Sequence, residues 1–370
     1  MAQAVGCLAR EGAWRVPIAF DLKWRFHRMA ANRVMTSLAL AGFLALGALR
    51  PAAADIPPDF PAWLDGMRDE AAAAGISQAT IDAALTDVVP VQRILERDRN
   101  QAEFKLTFED YYGRVAKPET IATGRQMLAE NRALLDKVAA QYGVQPRFIL
   151  AIWGIETRYG AVRGTMPVVP ALATLAYDAR RSKFFRKELV AALRMVDRNY
   201  IDLPSMKGSW AGAMGQPQFI PTSYLAYAQD FDGDGRRDIW TNRGDVFASI
   251  ANYLARHGWS DDVTWGREVR LPDGFEGRLA ELKRTGRSGC RAIDRMSVAK
   301  SLPEWQAMGV RRTDGTDLPT RDLQASLVRS DGAGGRSFLV YRNYHSILRY
   351  NCAHHYGLTV SMLADRIARR

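Results

Sequence analysis

The sequence predicts a mainly α (α+β) protein, a helical body with a small β-containing insertion before its last helices. Apolar residues recur at three- and four-residue spacing through residues 57–260 and again from Tyr344 to Ile367, which is the helical period. Between Trp265 and Tyr341 the texture changes. Short runs such as Val269-Arg-Leu, Ala325-Ser-Leu-Val and Phe338-Leu-Val-Tyr alternate with Gly and Asp turns and read as strands. The scale is that of a globular chain. With 370 residues, 47% hydrophobic and 25% charged, it can bury a large core, and collagen, wholesale disorder and a polytopic membrane protein are excluded.

The first 54 residues read as an export signal. Arg25, His27, Arg28 and Arg33 precede an apolar run from Leu38 to Leu49, followed by Arg50, Pro51 and Ala52-Ala53-Ala54. A basic flank, about a dozen apolar residues and a small-residue site define a cleavable signal, and the run is short for a bilayer span. Cleavage is expected after Ala54, in a chain whose translation starts at Met1, Met29 or Met35. No lipobox cysteine follows the run, so lipid anchoring is not expected. The segment holds seven Lys/Arg and two Asp/Glu, so the net charge of +11 falls to 44 basic against 38 acidic residues, or +6, in the mature chain. Most of the nucleic-acid hint leaves with the signal. Export also exposes Cys290 and Cys352 to an oxidising compartment. They either pair or stay as buried thiols, since sequence gives no distance between them.

Residues 55–145 are expected to form an N-terminal helical domain. Ser77 is a good helix cap before Ala83-Ala-Leu, and Pro118-Glu-Thr-Ile opens another periodic stretch. The next unit, 146–260, starts with Pro146, a favoured first helical residue. Ile149, Ile152, Trp153 and Glu156 follow at i, i+3, i+4 and i+7 and share one helix face. A carboxyl on an apolar face is desolvated, its pKa rises, and it can donate a proton near neutral pH. Alternatively, Glu156 closes the helix paired with Arg158 or Arg163, or is solvated.

The stretch Ser209-Trp-Ala-Gly-Ala-Met-Gly-Gln-Pro-Gln-Phe-Ile-Pro is rich in small residues that let a ligand approach backbone. Gln216 and Gln218 carry the donors and acceptors that read hydroxyl and acetamido groups, and Trp210 and Phe219 offer rings to sugars. A tight packing turn is the other reading. Further on, Asp230, Asp232, Asp234 and Asp238 occupy positions 1, 3, 5 and 9 of a calcium-type loop, with Gly235 at 6. Position 12 is Thr241 rather than Glu, and Asp245 lies farther on. Ser297-Val-Ala-Lys300 lacks the partner motifs of penicillin-binding enzymes. Cys352, His354 and His355 lack a second zinc ligand set.

Together these segments resemble the B-type lytic murein transglycosylases, whose catalytic core is goose-lysozyme-like. The matching stretches are Trp153-Gly-Ile-Glu-Thr-Arg-Tyr-Gly, Ala179-Arg-Arg-Ser-Lys-Phe-Phe, the Ser209 stretch through Tyr224, Asp230-Phe-Asp-Gly-Asp-Gly, Ile250-Ala-Asn-Tyr-Leu-Ala-Arg-His-Gly-Trp and Arg349-Tyr-Asn. The resemblance implies a lysozyme-like core at 146–260, a β-containing insertion at 261–341 and core-completing helices at 342–370. It implies Glu156 as the single acid/base, with Arg180, Arg181, Ser209, Gln218, Tyr253, Tyr350, Asn351 and Tyr356 lining a glycan groove. Phe184 stands where a groove tyrosine is usual. Asp230, Asp232, Asp234, the Arg236 carbonyl and Asp245 are the implied ligands of a structural calcium; catalysis needs no cofactor. The implied activity is non-hydrolytic cleavage of the β-1,4 bond between N-acetylmuramic acid and N-acetylglucosamine in the periplasm, giving 1,6-anhydro ends. A lysozyme-type hydrolase and a non-catalytic peptidoglycan-binding protein are the alternatives. Peptidoglycan strands are the expected partner, with wall-synthesis or remodelling proteins as further candidates and no nucleic acid.

Overall fold

The computed structural model describes residues 57–100, 106–332 and 334–369; the expected signal peptide lies outside them. Helices α1 (Phe60–Ala73), α2 (Gln78–Leu85) and α3 (Gln92–Asn100) come first. Ser77 caps α2 by accepting the Thr80 amide and ties it to a distant helix through Asp197. Then come α4 (Phe108–Val115), α5 (Pro118–Glu130), α6 (Arg132–Tyr142) and α7 (Pro146–Thr157), with Pro118 and Pro146 each in a first turn. Beyond a two-residue strand β1 (Met166–Pro167) run α8 (Val168–Tyr177) and α9 (Ser182–Asp197). Strand β2 (Lys207–Gly208) pairs antiparallel with β1 and leads into the Ser209 loop. Helices α10 (Pro221–Tyr227) and α11 (Arg243–Arg256) flank the acidic loop.

The insertion is a five-stranded antiparallel sheet in the order β4-β6-β7-β3-β5, formed by β3 (Gly266–Arg270), β4 (Lys300–Ser301), β5 (Arg311–Arg312), β6 (Gln324–Arg329) and β7 (Ser337–Val340). The three longer strands are those the sequence texture marks. Register places Leu327 opposite Leu339 and Arg267 opposite Leu339 on its other side. Short helices α12 (Arg291–Asp294) and α13 (Leu302–Ala307) interrupt it, and α14 (Arg342–Tyr350) and α15 (His354–Ala368) return to the body.

Three apolar cores result. One surrounds α7 and joins α4–α6, α11, α14 and α15. A second holds α1, α2, α8, α9 and the Ser209 loop. The third fills the insertion around Trp305. Helix α7 is buried on every side, from Phe148 through Ile155, so the expectation of one apolar face understates it. Such a helix sits at the centre of its core, and the polar side chain at its end, Glu156, is half-buried. Tyr350 packs against both the first and the second core, marking the seam between them.

Candidate active site

Helix α7 ends where Arg158 and Tyr159 turn left-handed, at φ 52° and 59°, and Gly160 follows at 83°. This turn leaves Glu156 at the last helical turn, half-buried. Its Oε1 accepts the Tyr356 hydroxyl at 2.6 Å. Burial pushes the carboxyl up from the ordinary range to about 7, and the Tyr356 hydrogen bond opposes this in part. No arginine and no second carboxylate contributes to that shift, and Arg163 donates instead to the Trp240 carbonyl at 2.9 Å. Burial is thus the largest influence on the Glu156 carboxyl. Burial also pushes the Tyr350 and Tyr356 hydroxyls well up, so both remain protonated donors.

An aromatic wall extends from this point. Tyr350 stacks on Tyr356 at 6.5 Å and meets Tyr253 at 4.8 Å; Tyr253 stacks on His257 at 4.4 Å. Each tyrosine is fixed by its hydroxyl: Tyr350 donates to the Pro217 carbonyl and Tyr253 to the Arg349 carbonyl, both at 2.7 Å. Asn351 adjoins them, and its Oδ1 is buried without a protein partner. Such an acceptor is costly unless water or a ligand satisfies it.

The Ser209 loop is tightly packed. A side chain at Gly212 would strike Leu172 and one at Gly215 would strike Ile239, and both residues have positive φ. Ser209 Oγ accepts the Ala211 and Ala213 amides. Gln216 is buried and spent internally: Oε1 accepts the Trp153 indole N–H at 2.7 Å and Nε2 donates to the Trp240 carbonyl at 2.9 Å. It is thus a strut between α7 and the loop, not a reader of sugars. Trp210 and Phe219 are buried too, and Phe219 backs Tyr253 and Tyr350. Gln218 remains partly exposed, its Nε2 donating to the Gly215 carbonyl at 2.9 Å. Arg180 and Arg181 both pair with Asp98 of α3, which is 3% exposed; nothing in the sequence pattern singled out Asp98. Phe184 packs edge-on against Phe185. The hollow between α1, α9 and α10, lined by Glu70, Lys187, Arg194 and Thr222, shares no residue with this set.

In the acidic loop, Asp230, Asp232 and Asp245 bring carboxylate oxygens within 4.8 Å of one another. Asp245 is fully buried; it accepts the Phe231 and Asp238 amides and so closes the loop from α11. Burial, with Asp232 and Asp230 adding repulsion, pushes it up to about 6. Asp234 stands outside this trio and accepts the Arg236 amide, while Asp238 caps the Trp240 and Thr241 amides. Crowded oxygen donors of one sign suit a hard dication.

A half-buried carboxyl at the end of a core helix, held by a tyrosine hydroxyl beside a row of tyrosines, sits here in a mainly helical, lysozyme-like fold. Residues 59–365 match the "Transglycosylase SLT domain" family, and the chain belongs to that family. It is 34% identical over 265 residues to the membrane-bound lytic murein transglycosylase B of Escherichia coli strain K12, covering 70% of this chain and 66% of that relative. It is 42% identical to SltB3 from Pseudomonas aeruginosa, solved in complex with NAG-anhNAM-pentapeptide, with a TM-score of 0.76 over 84% of this chain and 80% of that one. The Escherichia coli lytic transglycosylase Slt35 in complex with calcium is 29% identical, with a TM-score of 0.66 over 84% and 93%.

Proposed function

We propose that the chain is a lytic transglycosylase that cleaves the β-1,4 bond between N-acetylmuramic acid and N-acetylglucosamine without water, leaving 1,6-anhydromuramic ends. The observation that carries this reading is the single neutral-leaning carboxyl of Glu156 held by the Tyr356 hydroxyl. Most glycosidases use two carboxylates; here one serves twice. Glu156 gives its proton to the glycosidic oxygen as the C1–O bond breaks. The Tyr356 O–H then stabilises the carboxylate just formed. Glu156 next takes the proton of the muramyl 6-hydroxyl as that oxygen closes on C1. The reaction consumes no water, and an internal nucleophile has a high effective molarity.

Tyr253, Tyr350 and Tyr356 form the floor for the sugars, with Asn351, Gln218 and Ser209 at its edge and Arg180 and Arg181 towards the acidic stem peptides. Asp230, Asp232 and Asp245, with Asp234 and the Arg236 carbonyl, hold a structural calcium that ties α10 to α11. The enzyme works in the periplasm after export; among the described residues no helix is long and apolar enough to cross a membrane. The test is digestion of purified sacculi with mass spectrometry of the products. The parent protein should yield anhydro ends, and Glu156→Gln should yield none while still binding glycan. Products with reducing ends alone overturn the reading.

A further inference from the structure

The insertion grips the active-site segment at two closely spaced points. Cys352 forms a disulfide with Cys290 at the cap of α12, across 62 residues of sequence. This resolves in favour of pairing the two cysteine fates that the sequence leaves open. Next to it His354 turns back to α14, stacking on Tyr344 with its Nδ1 3.2 Å from the Tyr344 hydroxyl. His355 Nε2 lies 3.3 Å from Asp331 Oδ1, in the hairpin between β6 and β7, and Asp331 also accepts the Phe108 amide from α4. Both anchors, Cys352 and His355, fall between Tyr350 and Tyr356. The intervening turn, Asn351–Ala353, is extended and carries one internal backbone hydrogen bond, from the Ala353 amide to the Asn351 carbonyl. It has little regular structure of its own to hold it.

Accordingly, we propose that the β-containing insertion is a positioning element for catalysis, and that the Cys290–Cys352 bond is its covalent anchor, fixing the turn so that the Tyr356 hydroxyl meets Glu156 Oε1. The proposal rests on the transglycosylase reading of Glu156. The chemistry follows from the geometry. A hydroxyl at 2.6 Å from a carboxylate oxygen is strongly direction-dependent. Letting the start of α15 shift would lengthen that bond, withdraw the group that stabilises ionised Glu156, and raise the carboxyl's pKa. Tyr356 from α15 and Tyr350 from α14 are the titratable groups that act on Glu156, and Tyr111 of α4 acts on Tyr356 in turn.

The test uses the full chain carrying Cys290→Ser and Cys352→Ser together, with the parent protein reduced by a phosphine as a second arm. In that arm the phosphine gives two electrons and one water gives two protons and its oxygen, so that the disulfide becomes two thiols and the phosphine becomes its oxide. Either form should keep its fold by circular dichroism below its melting temperature and still release anhydro products. Its kcat should fall about tenfold with KM nearly unchanged. The alkaline limb of its pH–rate profile should move up by about one unit, the size of one hydrogen bond to a charged group. In a Tyr356→Phe background the same change should move that limb no further, because the bond it acts through is gone.

A lower melting temperature with superimposable pH profiles and kcat overturns the proposal and leaves the disulfide a structural brace. A limb that moves equally in both backgrounds also overturns it. Absence of anhydro products from the oxidised parent protein is a different failure, that of the transglycosylase reading itself.

Discussion

Substituting Glu156 by Gln separates the stability cost of the acid from its chemistry. The carboxyl ionises near 4.5 in a free chain and near 7 in the fold, a gap of about 2.5 units. At 1.36 kcal/mol per unit the full difference is about 3.4 kcal/mol; partial solvent access at the helix end reduces this to about 2 kcal/mol. The folded state binds this proton more tightly than the unfolded one. Below pH 4 both states are protonated and nothing is lost. Between about 4.5 and 7 the unfolded carboxyl ionises first, and the native state loses ground as pH rises. Glutamine keeps the shape and never ionises. Calorimetry of both proteins at pH 4, 6 and 8 should show equal melting at pH 4 and a Gln variant more stable by about 2 kcal/mol, roughly 2–4 °C, at pH 8. Asp245 titrates in both proteins and cancels. A gap that does not change with pH, or a parent protein that melts higher at pH 8, would refute the claim that burial governs this acid.

Calcium at a hundred times its Kd should stabilise the protein by about 2.7 kcal/mol, and a chelator should remove that gain. The gain should fade below pH 6, where Asp245 takes up its proton, and Asp245→Asn should abolish most of it; thermal unfolding that ignores calcium at pH 8 counts against the site. Gln216→Ala leaves the Trp153 indole N–H, 1% exposed, without its acceptor. It should cost about 3 kcal/mol, from the orphaned donor and the void together, read as a lower midpoint in urea. An unchanged midpoint would mean that the strut between α7 and the loop is idle.

The helical body, the three longer strands and the place of Glu156 on an apolar helix were legible because each is written in local spacing: periodic apolar residues, Pro146 at a helix start, alternating runs between Gly and Asp turns. What lay beyond reach is long-range pairing. Glu156 and its hydroxyl partner are 200 residues apart, and the sequence places Tyr356 near the acid only through family resemblance. Gln216 looked like a sugar reader because an amide's donors and acceptors are the same whether it meets a hydroxyl or a buried indole. Burial decides between the two, and burial is a property of the fold. Asp98 shows the same limit: an acid among Arg97 and Arg99 reads as a surface charge until α3 turns it onto Arg180 and Arg181. Asp245 is the converse case. Its distance along the chain argued against a loop of ordinary length, yet the first turn of α11 delivers it.

A helix wrapped on all sides has consequences beyond catalysis. From Phe148 to Ile155 helix α7 offers no wet face on which neutral substitutions could accumulate. The backbone that carries Glu156 is thereby set in the core itself. On the transglycosylase reading, any change in which strands are accepted or which peptides they bear falls to the surrounding turns and arginines.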